Sequence, residues 1–482
     1  MGTHVARVAL ERQVRELSRT QCVDAGLLRG HMGKEEVYRM EISVVSVLVV
    51  GALCAMTALC ANLGVAVFND GVRPFVPEFL EGRMPRPEYA VAVFGICIGF
   101  IASVGIGNAL ATNLLNPWLL FLATDIIGAV CPKKWLAAVA GAAWGILCLV
   151  GLGGINTVLT FLPVDLLGAL GQLGTYIVTG FALFPVLAII MQFGWQRGLI
   201  TAVLALIARV LGPMWKFGPT QASISADAWT LLVGVVLLVA FAVAKDLKNK
   251  DKNGSEFEDN LFTERVARIR KNVPFLMVGG ALIAIVCNMH LFAGSTVSMF
   301  QLADAYHGAA DAANLVQTAA VNELFRGISF IPLIAVTAIT TGVYGVAGFT
   351  FVYVAGYLSP NPIVAAVLGA VIIFVEVMLL GVIGKQLGRF PSLRDAADNI
   401  RSAMGTCVEF AVTFGSLNAV IAMGTSVGNP TLAFAIAAAI YYINEVTGRK
   451  IMRMAIGPVF AVGTGIILNL LYAVGLVALV AA

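Results

Sequence analysis

A chain of 482 residues that is 59% hydrophobic and only 12% charged, against roughly 25% charged in an ordinary soluble domain, excludes a soluble globular protein. Its 50 glycines and 17 prolines fit a polytopic all-α transmembrane bundle, since both residues are commoner in membrane helices; a β-barrel would show short alternating segments instead. The net charge of +4, carried in loops, sets orientation by the positive-inside rule and points to no nucleic-acid partner.

The eight cysteines form no Cys-x-x-Cys pair. All but Cys22 lie in or beside apolar runs, where a thiol acts as a small core hydrophobe. Neither a metal nor a cofactor is expected.

Residues 1–41 hold seven basic and six acidic side chains, and Val8, Leu10, Val14 and Leu17 mark a short amphipathic helix. They are expected to form a cytoplasmic extension, with Met40 an alternative natural start. The first apolar run, from Ile42 to about Phe68, is too long for a signal-peptide core. A Gly/Pro loop follows, Phe68-Asn-Asp-Gly-Val-Arg-Pro, in which Asp70 and Arg73 are spaced as a local ion pair. The next span, 89–110, contains Ile101-Ala-Ser-Val-Gly-Ile-Gly107, small residues that let another backbone approach closely.

Two segments forty residues apart then read almost as copies, Asn116 to Ala129 and Asn156 to Ala169, with seven of fourteen positions identical. If each is a helix capped by its Asn, with Pro117 at a favoured first position, then Asp125 and Asp165 lie about 14 Å along it. In a hydrocarbon core of ~30 Å that depth is the middle, where transporters keep their sites. Two full crossings would leave Lys133 and Lys134 outside, whereas a pair of re-entrant hairpins on opposite faces places them inside; the positive-inside rule favours the hairpins.

Spans at 174–193, 197–213 and 227–245 lead to a charged cytoplasmic linker, residues 246–273. It divides the chain into a first membrane half, 42–245, and a second, 274–482. The second half holds an apolar stretch, 328–358, too long for one helix and too short for two. Thr340-Thr-Gly-Val-Tyr-Gly-Val-Ala-Gly348 sits at its centre and is read as a broken helix pair. Unwound backbone at that depth must be buried in protein or line a cavity. Spans at 362–384, 403–424, 430–446 and 455–479 complete about eleven, with the C-terminus outside. Asn361-Pro362 and Asn429-Pro430 open helices. Glu376 falls nearer the far interface than the centre.

An acid at a membrane helix centre costs ~2.5–3.5 kcal/mol on insertion scales, so Asp125 and Asp165 are the leading candidates for binding a coupling ion or proton. The structural alternative is that each caps a helix break around Gly128 or Gly168. Asn116, Asn156, Thr340 and Thr341 are further candidate ligands, although Thr hydroxyls in a Gly-rich helix usually bond their own backbone. Glu323 and Arg326, three apart at an expected helix end, precede the Gly-rich segment; an Arg there offers a planar fork to carboxylate or phosphate. No His-Glu-x-x-His, phosphate-binding loop or Gly-x-Gly-Asp sequence is present, so no enzyme is expected.

The segments Phe68-Asn-Asp-Gly-Val-Arg-Pro, Leu119-Leu-Phe-Leu-Ala-Thr-Asp-Ile-Ile-Gly, Leu162-Pro-Val-Asp-Leu-Leu-Gly, Phe292-Ala-Gly-Ser-Thr-Val-Ser, Thr341-Gly-Val-Tyr-Gly-Val-Ala-Gly-Phe-Thr-Phe-Val-Tyr and Leu358-Ser-Pro-Asn-Pro are similar to the YhfT family of bacterial inner-membrane proteins, from about Met40 onward. The resemblance implies a transport protein, with no substrate or mechanism attached. The expectation is an inner-membrane secondary transporter of a small polar, anionic solute, alternating access in an elevator-like way and coupled to H+ or Na+. Its partners are that solute and the bilayer, and a homodimer is compatible with it. A channel, or the membrane subunit of a larger complex, is the alternative. A further geometric expectation is that Asp125, Asp165 and the break at 340–348 converge on one cavity.

Overall fold

The computed structural model describes residues 42–217, 222–248, 256–387, 390–451 and 453–480; the amphipathic helix expected in residues 1–41 lies outside them. The chain is an all-α polytopic bundle. Among the described residues ten helices are long and apolar enough to cross a membrane, or eleven if one pair bent by 61° is taken as a span.

Helix starts follow the local chemistry. In α1 (Val44–Asn62) Ser43 and Ser46 form a reciprocal capping box. A short extended segment, β1 (Ala66–Val67), and the helix α2 (Phe75–Leu80) lead to α3 (Arg86–Phe100), which continues through a π-helical turn, Ile101–Gly105, into α4 (Ile106–Thr112). The helix α5 (Pro117–Val130) begins as the sequence leads one to expect: Asn116 accepts from the Leu119 N–H at 3.0 Å, and Pro117 holds the first position.

Three long elements follow: α6 (Lys134–Thr160), then α7 (Leu166–Ala182) with α8 (Phe184–Phe193), then α9 (Trp195–Leu211). A small hairpin, β2 (Lys216–Phe217) with β3 (Ala222–Ser223), precedes α10 (Ala226–Lys248). The rest of the chain comprises α11 (Glu256–Lys271), within the linker, and then α12 (Val273–Asn288), α13 (Met299–Tyr306), α14 (Ala312–Thr341), β4 (Tyr344–Gly345), α15 (Phe351–Leu358), α16 (Pro362–Leu387), α17 (Pro391–Ser426), α18 (Pro430–Val446) and α19 (Arg453–Ala473).

These elements sort into two bundles. The first joins α1, α3 to α6, α12 and α14 to α16, with α1 packed on α6 and α12 on α16. The second joins α7 to α10 with α17 to α19, around an apolar cluster that includes Val164, Leu166, Val412, Val420, Met423 and Phe460.

The contacts of the first bundle occur twice, at an offset of roughly 226–228 positions, the signature of an internal repeat. Asn62 Nδ2 donates to the carbonyls of Gly128 (2.9 Å) and Cys131 (2.7 Å); Asn288 Nδ2 donates to those of Gly356 (3.1 Å) and Ser359 (2.7 Å). Gly141 lies against Cys54 and Ala58 of α1, and Gly369 against Gly280 and Ala284 of α12. The extended breaks are exchanged between the repeats. β1, which follows α1, pairs in parallel with β4, which follows α14; Leu115, which follows α4, pairs with Phe292, which follows α12.

The repeats run in opposite directions. Arg268 of α11 donates to Gly64 O at 3.0 Å, beyond the end of α1, and Asn62 ties that end to Cys131, just before α6. The end of α16 also meets α11, through Arg270 on Met378 O and Val266 on Gly384. Thus α6 begins where its counterpart α16 ends.

Several expectations are corrected. The forty-residue similarity is not the structural repeat, because α6 runs through Asn156 as continuous helix and Asn156 opens nothing; its side chain lies outside the described residues. The second Asp unit is not a re-entrant hairpin: residues 161–165 are the turn between α6 and α7. The segment 328–358 divides unequally, into the end of α14 and the eight-residue α15. The 30-residue α14 carries Glu323 and Arg326 in its interior rather than at an end, and unwinds only after Thr341.

The glycine packing gives a test. A Cβ on Gly369 would lie 2.5 Å from Gly280 O and 2.8 Å from the Ala284 Cβ, whereas one on Gly107 meets nothing. Gly369→Ala is expected to lower the thermal unfolding midpoint in detergent, by the equivalent of about 1–3 kcal/mol for an overpacked contact, and Gly107→Ala to leave it unchanged. Equal midpoints for the two variants would refute this packing.

Candidate functional site

Irregular backbone inside a membrane protein must find every hydrogen bond within the protein, and here the breaks find many of theirs on each other. Tyr344 N–H donates to Val65 O (3.1 Å) and Val346 N–H to Val67 O (3.2 Å); Leu115 N–H donates to Leu291 O (2.9 Å) and Ala293 N–H to Leu115 O (2.9 Å). Other donors at the breaks are met by side chains from helices. Asp125, buried in α5, accepts from Phe68 N–H through both oxygens (3.1 and 3.0 Å) and from Asn69 N–H through Oδ2 at 2.9 Å. At the equivalent break of the second repeat, Tyr357 Oη accepts from Gly294 N–H at 2.6 Å.

Arg73 fastens the crossing. It is 1% exposed, pairs with Asp70 at 2.7 Å, donates to Ile334 O at 3.1 Å, and lies against Gly345, where a Cβ would leave no room for it. Asp70 and Arg73 therefore form the expected ion pair, and the arginine also ties the first break to α14. On the opposite flank of β4, Glu376 of α16 accepts from Tyr344 Oη (2.6 Å) and Phe349 N–H (2.9 Å), both through Oε2.

A second polar cluster lies on α14. Glu323 is fully buried; Oε1 accepts from Ser295 and Ser298 (2.6 Å for Ser298), and Oε2 accepts from Arg326 Nε at 2.9 Å. Arg326 is 9% exposed, with its guanidinium 5.0 Å from the Phe330 ring centroid. Its two terminal nitrogens make no hydrogen bond among the described residues. Asn322, one turn earlier on the same face, accepts from Ser225 N–H at 2.7 Å, and its buried Nδ2 has no partner; the buried Tyr353 Oη has none either. Phe330 stacks on Phe181 (6.0 Å) and meets Phe184 edge-on (5.9 Å). The Asn322, Arg326, Phe330 stripe thus faces the second bundle.

The other sequence candidates separate. Asp125 and the break at 342–350 come together through the β1–β4 pairing, but Asp165 does not join them. It is exposed, caps α7 by accepting from Gly168 N–H at 2.8 Å, and adjoins Val164, which is bound to Asn469 of α19. Thr340 and Thr341 turn their hydroxyls into their own helix, onto Val336 O and Thr337 O. Asn116 caps α5 and holds Gly105 O at 2.9 Å. Glu376, Asn322, Ser295, Ser298 and Tyr353 were not singled out as ligands from sequence. A lone acid inside the long apolar run of α16 was the available signal for Glu376. Among the described residues no three His, Cys, Asp or Glu side chains group as a metal site requires.

The two aspartates should differ in cost. Asp125→Ala strands two backbone N–H groups, at about 1–3 kcal/mol each, whereas Asp165→Ala removes one exposed cap worth ~1 kcal/mol. Thermal unfolding should show the larger loss for Asp125→Ala, and equal losses would contradict the capping geometry.

Comparison with known proteins adds kinship. A family model described as "YhfT: Protein of unknown function" matches residues 46–477. The "Uncharacterized protein YhfT" of Escherichia coli (strain K12) is 48% identical over 436 residues, covering 90% of this chain and 98% of that protein. No solved structure matches. The chain belongs to the YhfT family.

Proposed function

We propose that this chain is a secondary transporter of a small anionic organic solute, which binds between the two bundles on the Asn322, Arg326, Phe330 face of α14. The observation that carries the reading is Arg326: its side chain is nine-tenths buried and held by Glu323 through Nε, and its two terminal nitrogens make no hydrogen bond among the described residues. Burying a cationic fork this way is costly unless something pairs with it, and a planar carboxylate or phosphate fits it. Asn322 Nδ2 and Tyr353 Oη are buried groups without partners among the described residues, and the Phe181, Phe184 and Phe330 rings supply an apolar wall.

The repeat acts as an internal control. About 226 positions earlier the same face of the first repeat carries Ile96, Phe100 and Val104. Phe100 and Val104 pack into the apolar cluster of the second bundle. The architecture closes that interface without charge, so the Glu323–Arg326 pair answers to something other than folding. Inverted repeats with broken helices at their meeting point are the usual construction of secondary transporters, and the two bundles supply the bodies that alternate. The expected class, anionic solute and alternating access are retained; Asp165 is not part of this site.

Orientation follows from charge. Lys133, Lys134, Arg265, Arg268 and Arg270 fall on the α11 side, which the positive-inside rule makes cytoplasmic. The start of α1 and the end of α19 then both face outward, which places Ser43 opposite to the side expected for residues 1–41.

Thermal-shift binding of a panel of small carboxylates and phosphate monoesters tests the site. At least one should stabilise the purified protein, and Arg326→Lys should weaken that ligand about tenfold or more, ~1.4 kcal/mol. A panel that never shifts the wild type, or equal affinity in the Lys variant, would argue against anion recognition.

A further inference from the structure

The three carboxylates at the breaks are satisfied to different degrees. Glu323 has acceptors filled on both oxygens and a guanidinium beside it. Asp125 spreads its backbone donors over both oxygens. Glu376, 2% exposed, receives its hydrogen bonds on Oε2, and its buried Oε1 has no partner among the described residues. No ion pair reaches it among the described residues. A buried charge with one bare oxygen is far less stable than the neutral acid.

From this geometry we infer that Glu376 is a proton-binding site which couples proton movement to the transport cycle. The inference rests on the transporter reading and names its coupling ion. The proton sits on the carboxyl of Glu376 while the break is closed, and leaves to water as H+ when movement at β4 opens Oε1; the carboxylate takes one back on the other side. No bond other than O–H forms or breaks.

The surroundings fit a carboxyl that changes charge. Tyr344 donates to Oε2 from β4, and the Arg73 guanidinium lies behind it against Gly345. Toward the end of α16, Arg270 of α11 sits on Met378 O and Gly381. Gly280 and Ala284 of α12 and Ile339 of α14 meet α16 as apolar groups. Ionising Glu376 would set a negative charge in competition with Asp70 for Arg73, whose Nε has no acceptor. Arg73 ties the two breaks together, so the protonation state of Glu376 bears on whether the crossing stays closed. The counterpart position about 228 residues earlier is Cys148. There the break is held by Asn116 on Gly105 O and Leu119 N–H. A carboxylic acid is therefore not demanded by the fold, and Glu376→Gln keeps the capping oxygen while removing the titration.

Infrared difference spectroscopy on the purified protein needs no solute. The protonated-carboxyl C=O band expected at neutral pH should shift in D2O, vanish in Glu376→Gln, and survive in Asp125→Asn. Tyr344→Phe, which removes one donor from Oε2, should move the band to higher frequency and serves if the Gln variant does not fold. A band indifferent to Glu376→Gln or Tyr344→Phe overturns the inference. In liposomes, with whichever carboxylate or phosphate ester shifts the melting temperature, a one-unit pH gradient should drive about tenfold accumulation in the wild type. Glu376→Gln should retain counterflow and show no accumulation. Absence of counterflow in the wild type defeats the transporter reading itself; counterflow with accumulation unchanged in Glu376→Gln defeats only the proton site.

Discussion

Unpaired backbone cannot be left in a membrane interior, and that constraint organises this protein. Each repeat contains two places where the chain leaves its helix, and neither repeat could satisfy them alone. The solution is exchange: β1 is completed by β4, and Leu115 by Phe292. Side chains fixed on rigid helices take up further donors, which is why Asp125 and Glu376 lie where they do.

The inverted repeat also separates what the fold requires from what the site requires. Residues that let helices touch recur in both copies: Asn62 with Asn288, Gly128 with Gly356, Gly141 with Gly369. The buried residues that bear charge do not. Arg326 stands opposite Phe100, Glu323 opposite Cys97, Asp125 opposite Tyr353, and Glu376 opposite Cys148. Three of these four sit on α14 and α16, while Asp125, on α5, caps the first break.

Much of the fold was legible because its signals are local. Asn-Pro pairs announced α5, α16 and α18, apolar runs announced the spans, and three-residue spacing announced both ion pairs. The repeat itself was hidden by the same asymmetry. Positions conserved between the copies are mostly small residues common in any membrane helix, and the distinctive charged ones were replaced. The misleading forty-residue similarity arose because Asp125 and Asp165 both cap backbone in a Leu- and Gly-rich setting. One caps a distant break and the other its own helix, a difference of tertiary position that no spacing reports. Glu376 was placed by helix length near an interface; β4 and the chain after it come back to meet it there, and only the fold shows that.

The central claim is that two repeats cross the membrane in opposite directions and meet at their breaks. It is tested most directly by sidedness at equivalent positions: single cysteines at Lys134, which begins α6, and at Pro362, which begins α16, in a background lacking native cysteines. A membrane-impermeant thiol reagent applied to sealed vesicles of known orientation should label the two from opposite faces, position 134 from the cytoplasmic side and position 362 from the outer side. Labelling of both from one face would contradict the inverted repeat and the site built upon it.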